Sequence, residues 1–194
     1  MTISSEAHLD RVAAQARENV RVARDMVAER SSEDLLWRPE PAEWGVADCF
    51  EHLIATGQAY HTLIRQAMES APTVAGEVSY RPRWFGRWFI RSSGPEGRIR
   101  VRARGPFVPR STSPDAPDRF AALQDEFLEL VDAAREKNLQ AIRVPSPLSR
   151  FLALTLGECL ELLVRHQQRH LQQAQRVLEE LERRSGGAEQ ADGS

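Results

Sequence analysis

The chain has 194 residues, which is the length of one domain. Hydrophobic residues make up 41% and charged residues 28% of the sequence, so disorder of the whole chain is excluded. The formal net charge is −2, and this overall value indicates neither a nucleic-acid partner nor an anionic membrane.

Cysteine content and the first residues indicate the compartment. Cys49 and Cys159 are too few for a disulfide framework. The opening residues, MTISSEAH, lack the basic-then-apolar pattern of a secretory signal. No apolar run approaches the roughly 20 residues of a membrane-spanning helix. We therefore expect a cytoplasmic protein with reduced thiols and no membrane partner.

Apolar residues recur at spacings of three and four in four segments, as in amphipathic helices. The segments are residues 5–30, 46–70, 118–138 and 155–184. Gly45 is an acceptable cap for the second segment, and Thr155 with Glu158 predicts a capping box at the fourth. We expect an all-α fold, a single four-helix bundle over residues 1–184, followed by a flexible polar tail, 185–194.

Residues 72–117 form a long connection between the second and third predicted helices, long enough to cross the bundle. It is rich in proline, arginine and aromatic residues. The arginines are Arg81, Arg83, Arg87, Arg91, Arg98, Arg100, Arg102, Arg104 and Arg110, and the aromatics are Trp84, Phe85, Trp88, Phe89 and Phe107. One interpretation is a solvated loop that covers the bundle end or a dimer surface. The alternative, which we favour less, is that segment 81–110 binds single-stranded nucleic acid.

Two histidines occupy the inward seam of the fourth segment, where leucines are expected. His166 and His170 lie four residues apart and share a helix face. His52, in the second segment, supplies a third imidazole. Three nitrogen ligands with open positions are typical of a reactive zinc site, whereas satisfied core histidines are the alternative.

Two other classes of metal site do not fit this sequence. A zincin needs His-Glu-x-x-His, but Gln167 stands in place of the glutamate and cannot accept a proton. Di-iron bundles need Glu-x-x-His, and Leu163 occupies the glutamate position.

The stretch from Trp44 to Leu53 resembles the second-helix motif of the DinB-like (DinB/YfiT-type) superfamily of metal-dependent enzymes. The stretch from Arg165 to Gln173 resembles the last-helix motif of that family, His-x-x-x-His followed three residues later by Gln. The resemblance extends from Leu9 to Leu181. It implies a four-helix bundle, one zinc or nickel ion on His52, His166 and His170, and a homodimer. Relatives include transferases that use a low-molecular-weight thiol and hydrolases.

This sequence departs from the family pattern at two positions. Relatives often carry Glu where this chain has Gln167, which puts activity in question, and Gly45 replaces a Ser or Thr cap. Thiol transfer to a small-molecule substrate is the leading hypothesis, because it needs no protein nucleophile. Hydrolysis and non-catalytic metal binding are the alternatives.

The remaining candidate residues have weaker assignments. Asp48 could act as a general base, although a helix-dipole role is favoured. Gln173 could hydrogen-bond a ligand or serve in packing. Cys49 and Cys159 are interpreted as core residues rather than ligands. We expect His8 and His61 to serve no site.

Overall fold

The structure is a computed structural model that describes residues 2–74, 76, 78–97, 107–109, 111–147 and 149–192. Helices dominate the described residues. They are α1 (Ser5–Val27), α2 (Ser32–Leu36), α3 (Val46–Glu69), α4 (Trp84–Ser93), α5 (Ala116–Ala133) and α6 (Leu156–Asp192). The predicted helical bundle is confirmed. In the described part of the chain, no helix is both long enough and apolar enough to cross a bilayer.

The four long helices pack together because each carries an apolar stripe. Helices α1 and α3 each contact both α5 and α6. Their buried side chains form two hydrophobic clusters. One cluster includes Leu9, Ile64 and Phe127, and the other includes Phe50 and Phe120.

A buried polar layer lies between the two hydrophobic clusters. In α6 the residues of one cluster end at Val164, and those of the other begin at Leu171. The interval between them carries His166, Gln167 and His170. The sequence thus interrupts its apolar stripe at one level of the bundle, and this level holds the candidate site.

Local hydrogen bonds explain where the site-bearing helices begin. Thr155 Oγ1 accepts the Glu158 N–H at 3.3 Å, and Glu158 Oε2 accepts the Thr155 N–H at 2.9 Å, so the predicted capping box is confirmed. At α3, Asp48 Oδ2 accepts the Gly45 N–H at 2.9 Å. A Cβ at position 45 would overlap the carbonyl oxygen of Trp37, which explains why glycine replaces the usual Ser or Thr.

The structure adds four short strands to the predicted helices. They are β1 (Ile3–Ser4), β2 (Ser79–Tyr80), β3 (Arg143–Ser146) and β4 (Ser149–Thr155). Strands β1 and β2 pair antiparallel, as do β3 and β4. They were not predicted, because strands of two to seven residues carry too little alternation to be recognised.

Several boundaries also differ from the predicted segments. The connection 72–117 contains β2 and α4, so it is partly regular. Helix α5 ends at Ala133 and is followed by a 3-10 turn, Ala134–Glu136, whereas helix α6 continues to Asp192. Among the arginines of the connection, Arg98, Arg100, Arg102, Arg104 and Arg110 lie outside the described residues.

Candidate metal centre

Three histidines converge at the buried polar layer. His52 comes from α3, and His166 and His170 come from successive turns of α6. One ring nitrogen from each lies within 4.8 Å of the others. Nε2 of His52 and Nε2 of His166 are 3.4 Å apart. Because His52 and His170 are buried and His166 is partly exposed, the cluster has one side that solvent can reach.

Hydrogen bonds fix how two of these rings present their nitrogens. His52 Nδ1 lies 2.7 Å from the carbonyl oxygen of Phe107, which can only accept, so Nδ1 carries the proton. His170 Nδ1 lies 3.1 Å from Oε1 of Gln173 and donates to it in the same way. Each bond leaves the Nε2 lone pair of its ring free to bind a metal, as in many histidine metal sites.

Burial keeps all three rings neutral. Desolvation lowers the pKa of His52 and, together with the neighbouring His166 and His52, lowers that of His170 well below its usual value. Desolvation, His52 and Arg169 lower the pKa of His166 to about 3. Neutral imidazole is the form that binds a metal, so the cluster needs no deprotonation at neutral pH.

These features fit a divalent ion of the kind that imidazole prefers, a group that includes zinc and nickel. A sequence model of the DinB superfamily matches residues 14–174, a range that includes all three histidines. The chain belongs to the DinB superfamily. A search of curated proteins finds no match to it, and a search of solved structures finds none either. It is therefore a DinB-like protein with a three-histidine cluster that can bind a metal ion.

Two groups around the cluster of this DinB-like protein were missed by sequence reasoning. The ring of Trp44 lies 5.0 Å from that of His52 and 5.8 Å from that of His170, measured between centroids, and forms an aromatic wall. Trp44 was noted only as part of a family motif. The carbonyl of Phe107 left no sequence signal, because every residue has a backbone carbonyl.

The candidate base Asp48 lies outside the three-histidine cluster. Arg38 binds both its carboxylate oxygens at 2.7 Å, and one of them also accepts the Gly45 N–H. The structure therefore shows Asp48 as a capping and ion-pair residue at the start of α3. The other weak candidate, Gln173, contacts the cluster through His170.

Both cysteines are free, buried and outside the cluster. Desolvation raises the pKa of each thiol far above neutrality. Neither Cys49 nor Cys159 is thus a thiolate that could act as a nucleophile or ligand.

Gln167, the departure from the family pattern, makes its side-chain hydrogen bonds to α1 and α5 rather than to the histidines. Its Oε1 accepts a hydrogen bond from Asn19 of α1 at 2.9 Å, and its Nε2 donates to Gln124 of α5 at 3.0 Å. Asn19 also donates to the Val164 carbonyl. Gln167 therefore joins three helices through a neutral amide network in the polar layer.

The other two histidines also lie outside the cluster. His8 is buried, and its Nε2 lies 3.0 Å from the Gly157 carbonyl, which links α1 to the first turn of α6. His61 is buried with no hydrogen bond to either ring nitrogen.

Proposed function

We propose that His52, His166 and His170 hold one zinc or nickel ion, and that this DinB-like protein is a transferase using a low-molecular-weight thiol. The observation that carries the proposal is the convergence of three neutral ring nitrogens within 4.8 Å. Two of the rings are already oriented by Phe107 and Gln173. A site arranged in this way is suited to binding a metal without rearrangement.

The composition of the cluster favours thiol transfer. Among the described residues, the potential metal ligands grouped here are imidazoles only, without a carboxylate or thiol. A divalent ion with open positions would hold a small thiol as its thiolate near neutral pH. In the overall reaction a sulfur–carbon bond forms, the leaving group departs with its bonding electrons, and the thiol proton passes to solvent. No protein nucleophile is needed.

The surrounding residues supply orientation and shielding in this proposal. Phe107 and Gln173 hold the protons on Nδ1 of His52 and His170. The half-buried Trp44 covers the same two rings and limits access of water from that side. The substrate is a small molecule entering past the partly exposed His166. We also propose a cytoplasmic homodimer, which rests on the composition and the family resemblance.

Hydrolysis is less well supported, because it usually requires a general base near the attacking water. The one carboxylate that sequence reasoning offered, Asp48, is engaged by Arg38 and Gly45. Gln167 cannot take this role, because its neutral amide does not accept a proton and its hydrogen bonds are made to Asn19 and Gln124.

Elemental analysis tests the metal assignment. Protein purified without a chelator or metal-binding tag should contain about one zinc or nickel ion per chain. His52→Ala and the double variant His166→Ala, His170→Ala should lose it. His61→Leu is the matched control, since His61 lies on the same helix outside the cluster. Full metal content with unchanged affinity in the double variant would contradict the assignment.

Turnover assays then separate the three functions. Metal-loaded protein should consume a small thiol in the presence of a chromogenic electrophile, at a rate that falls in the histidine variants. Ester hydrolysis without thiol would indicate a hydrolase. Stoichiometric metal with no turnover across the panel would indicate a metal-binding protein without activity.

A further inference from the structure

Helix α4 presents an exposed aromatic face that the metal site does not use. Gly86 and Ile90 are buried on its inner side, which packs against α6. On the outer side, Trp84 is 76% exposed, Trp88 50% and Phe85 43%. Three large aromatic side chains exposed on one short helix form an apolar patch of the kind that marks an interaction surface.

The orientation of α4 is fixed by contacts at both ends. The Arg83 N–H donates to Oε1 of the buried Glu158 at 2.6 Å, and Arg169 donates to the Ser92 carbonyl at 3.1 Å. A Cβ at Gly86 would overlap the Glu158 carboxylate, which shows how closely the two helices approach. The aromatic residues therefore stay on the surface, because this packing leaves the helix no room to rotate.

Basic residues dominate the charge of α4 and its flanking sequence. Arg81, Arg83, Arg87 and Arg91 are exposed, and among the described residues none of them forms an ion pair. Residues 78–110 contain nine arginines and one glutamate, Glu96, which pairs with Arg165. The segment thus has a charge of +8 in a chain of net charge −2. A partner that is anionic would complement this charge.

We propose that α4 docks the protein onto an anionic lipid bilayer, with Trp84, Phe85 and Trp88 inserted at the interface. Interfacial helices combine an aromatic face with flanking basic residues whose long stems let the charge reach lipid phosphates. Arg87 and Arg91 lie beside the aromatic ridge, one turn apart, as this arrangement requires. The overall charge of −2 conceals this local signal, which changes our expectation of no membrane partner.

Two other occupants fit the surface less well. A symmetric contact with a second copy would place the unpaired arginines of each copy against the same patch, which is repulsive. Proteins that bind single-stranded nucleic acid track its backbone with a basic groove, whereas α4 is one convex helix. The bilayer proposal does not depend on the metal site, so the failure of either proposal leaves the other intact.

Vesicle sedimentation tests the proposal. The full-length protein should bind vesicles of equal parts phosphatidylglycerol and phosphatidylcholine, bind pure phosphatidylcholine weakly, and be released by salt. Each basic residue near an anionic surface raises the membrane partition coefficient by roughly a factor of five. The variant Arg87→Ser, Arg91→Ser should therefore lower this coefficient by about thirtyfold. Trp84→Ser, Trp88→Ser should also weaken it by at least ~tenfold.

A charge-matched control distinguishes the α4 surface from net charge alone. Arg17 and Arg24 are exposed on α1, so Arg17→Ser, Arg24→Ser makes the same charge change elsewhere and should leave binding within about twofold of wild type. Circular dichroism checks that every variant folds. Tryptophan emission should shift to shorter wavelength on vesicles in wild type and not in the Trp84, Trp88 variant.

Three results would overturn the proposal. The first is equal binding to anionic and neutral vesicles, and the second is equal loss in the α1 control. The third is binding to a labelled oligothymidine that depends on Trp84 and Trp88 without vesicle binding, which would assign the surface to nucleic acid.

Discussion

His61 is a buried histidine whose replacement should stabilise this protein, and more so in acid. It lies on α3 with 3% of its surface exposed, and neither ring nitrogen has a hydrogen-bond partner. The nearest carboxylate oxygen, from Glu126, is 3.9 Å from Nδ1 and beyond hydrogen-bond distance. Burial and the charge of Arg65 lower the pKa of His61 to about 4.

The direction of the pH effect follows from this lowered pKa. The unfolded chain protonates His61 near its ordinary pKa of 6.5, whereas the folded chain resists protonation until about pH 4. The contribution of His61 to the free energy of unfolding is therefore fully present above pH 6.5 and is lost as the pH drops from 6.5 toward 4. At about pH 5, the contribution from His61 alone is a loss of about 2 kcal/mol.

The variant His61→Leu removes this titration and the unpaired nitrogens together. Burying an unpaired polar group costs roughly 1–3 kcal/mol, so its removal should stabilise the fold by that amount. The variant also loses the stacked contact between His61 and Phe127, whose ring centroids are 5.7 Å apart, and this loss costs about 1 kcal/mol. We expect the free energy of unfolding of the variant to exceed that of wild type by about 1 kcal/mol at neutral pH and by about 3 kcal/mol near pH 5.

Urea denaturation followed by circular dichroism measures both values. A chelator keeps both proteins free of metal, and the other histidines contribute equally to each. Glu126→Gln serves as a control; it should change the result little, because Glu126 is 57% exposed. If the free energy of unfolding of His61→Leu differs from that of wild type by the same amount at the two pH values, the assignment of a lowered pKa to His61 is refuted.

Three further substitutions test the surroundings of the site. Gln173→Leu removes the acceptor for His170 Nδ1 and should weaken metal affinity by ~10–100-fold in a chelator competition assay; unchanged affinity would mean that His170 needs no such partner. Arg38→Leu leaves the buried Asp48 without its ion-pair partner and should lower the free energy of unfolding by about 2 kcal/mol with metal content unchanged, whereas lost metal would place Asp48 in the site. Gln167→Leu breaks the amide network and should cost roughly 1–3 kcal/mol in urea denaturation; normal stability combined with lost metal binding would reverse the role assigned to Gln167.

The long helices could be predicted because their determinants are local. The periodicity that predicted 5–30 and 46–70 corresponds to α1, Ser5–Val27, and α3, Val46–Glu69. The capping box of Thr155 and Glu158 also involves residues only three apart. Backbone hydrogen bonds within a helix span four residues, so its sequence pattern is nearly sufficient to identify it.

The short elements depended on distant partners and could not be predicted. Strand β1, Ile3–Ser4, is a strand because it pairs with β2, Ser79–Tyr80. Helix α4, Trp84–Ser93, is held by Glu158 and by Arg169 of α6. The contacts that stabilise such segments involve residues far away in the sequence, so the local sequence does not predict them.

The sequence alone determined which residues could meet at the site. The spacing of His166 and His170 placed both on one helix face, and His52 of the second helical segment supplied the third imidazole. Tertiary structure decided their surroundings: the Phe107 carbonyl orients His52, Arg38 engages Asp48, and Gln167 faces α1 and α5 rather than the histidines. Residue type and helical spacing are written in the chain, whereas the partner of a buried polar group is selected only when separate helices pack against each other.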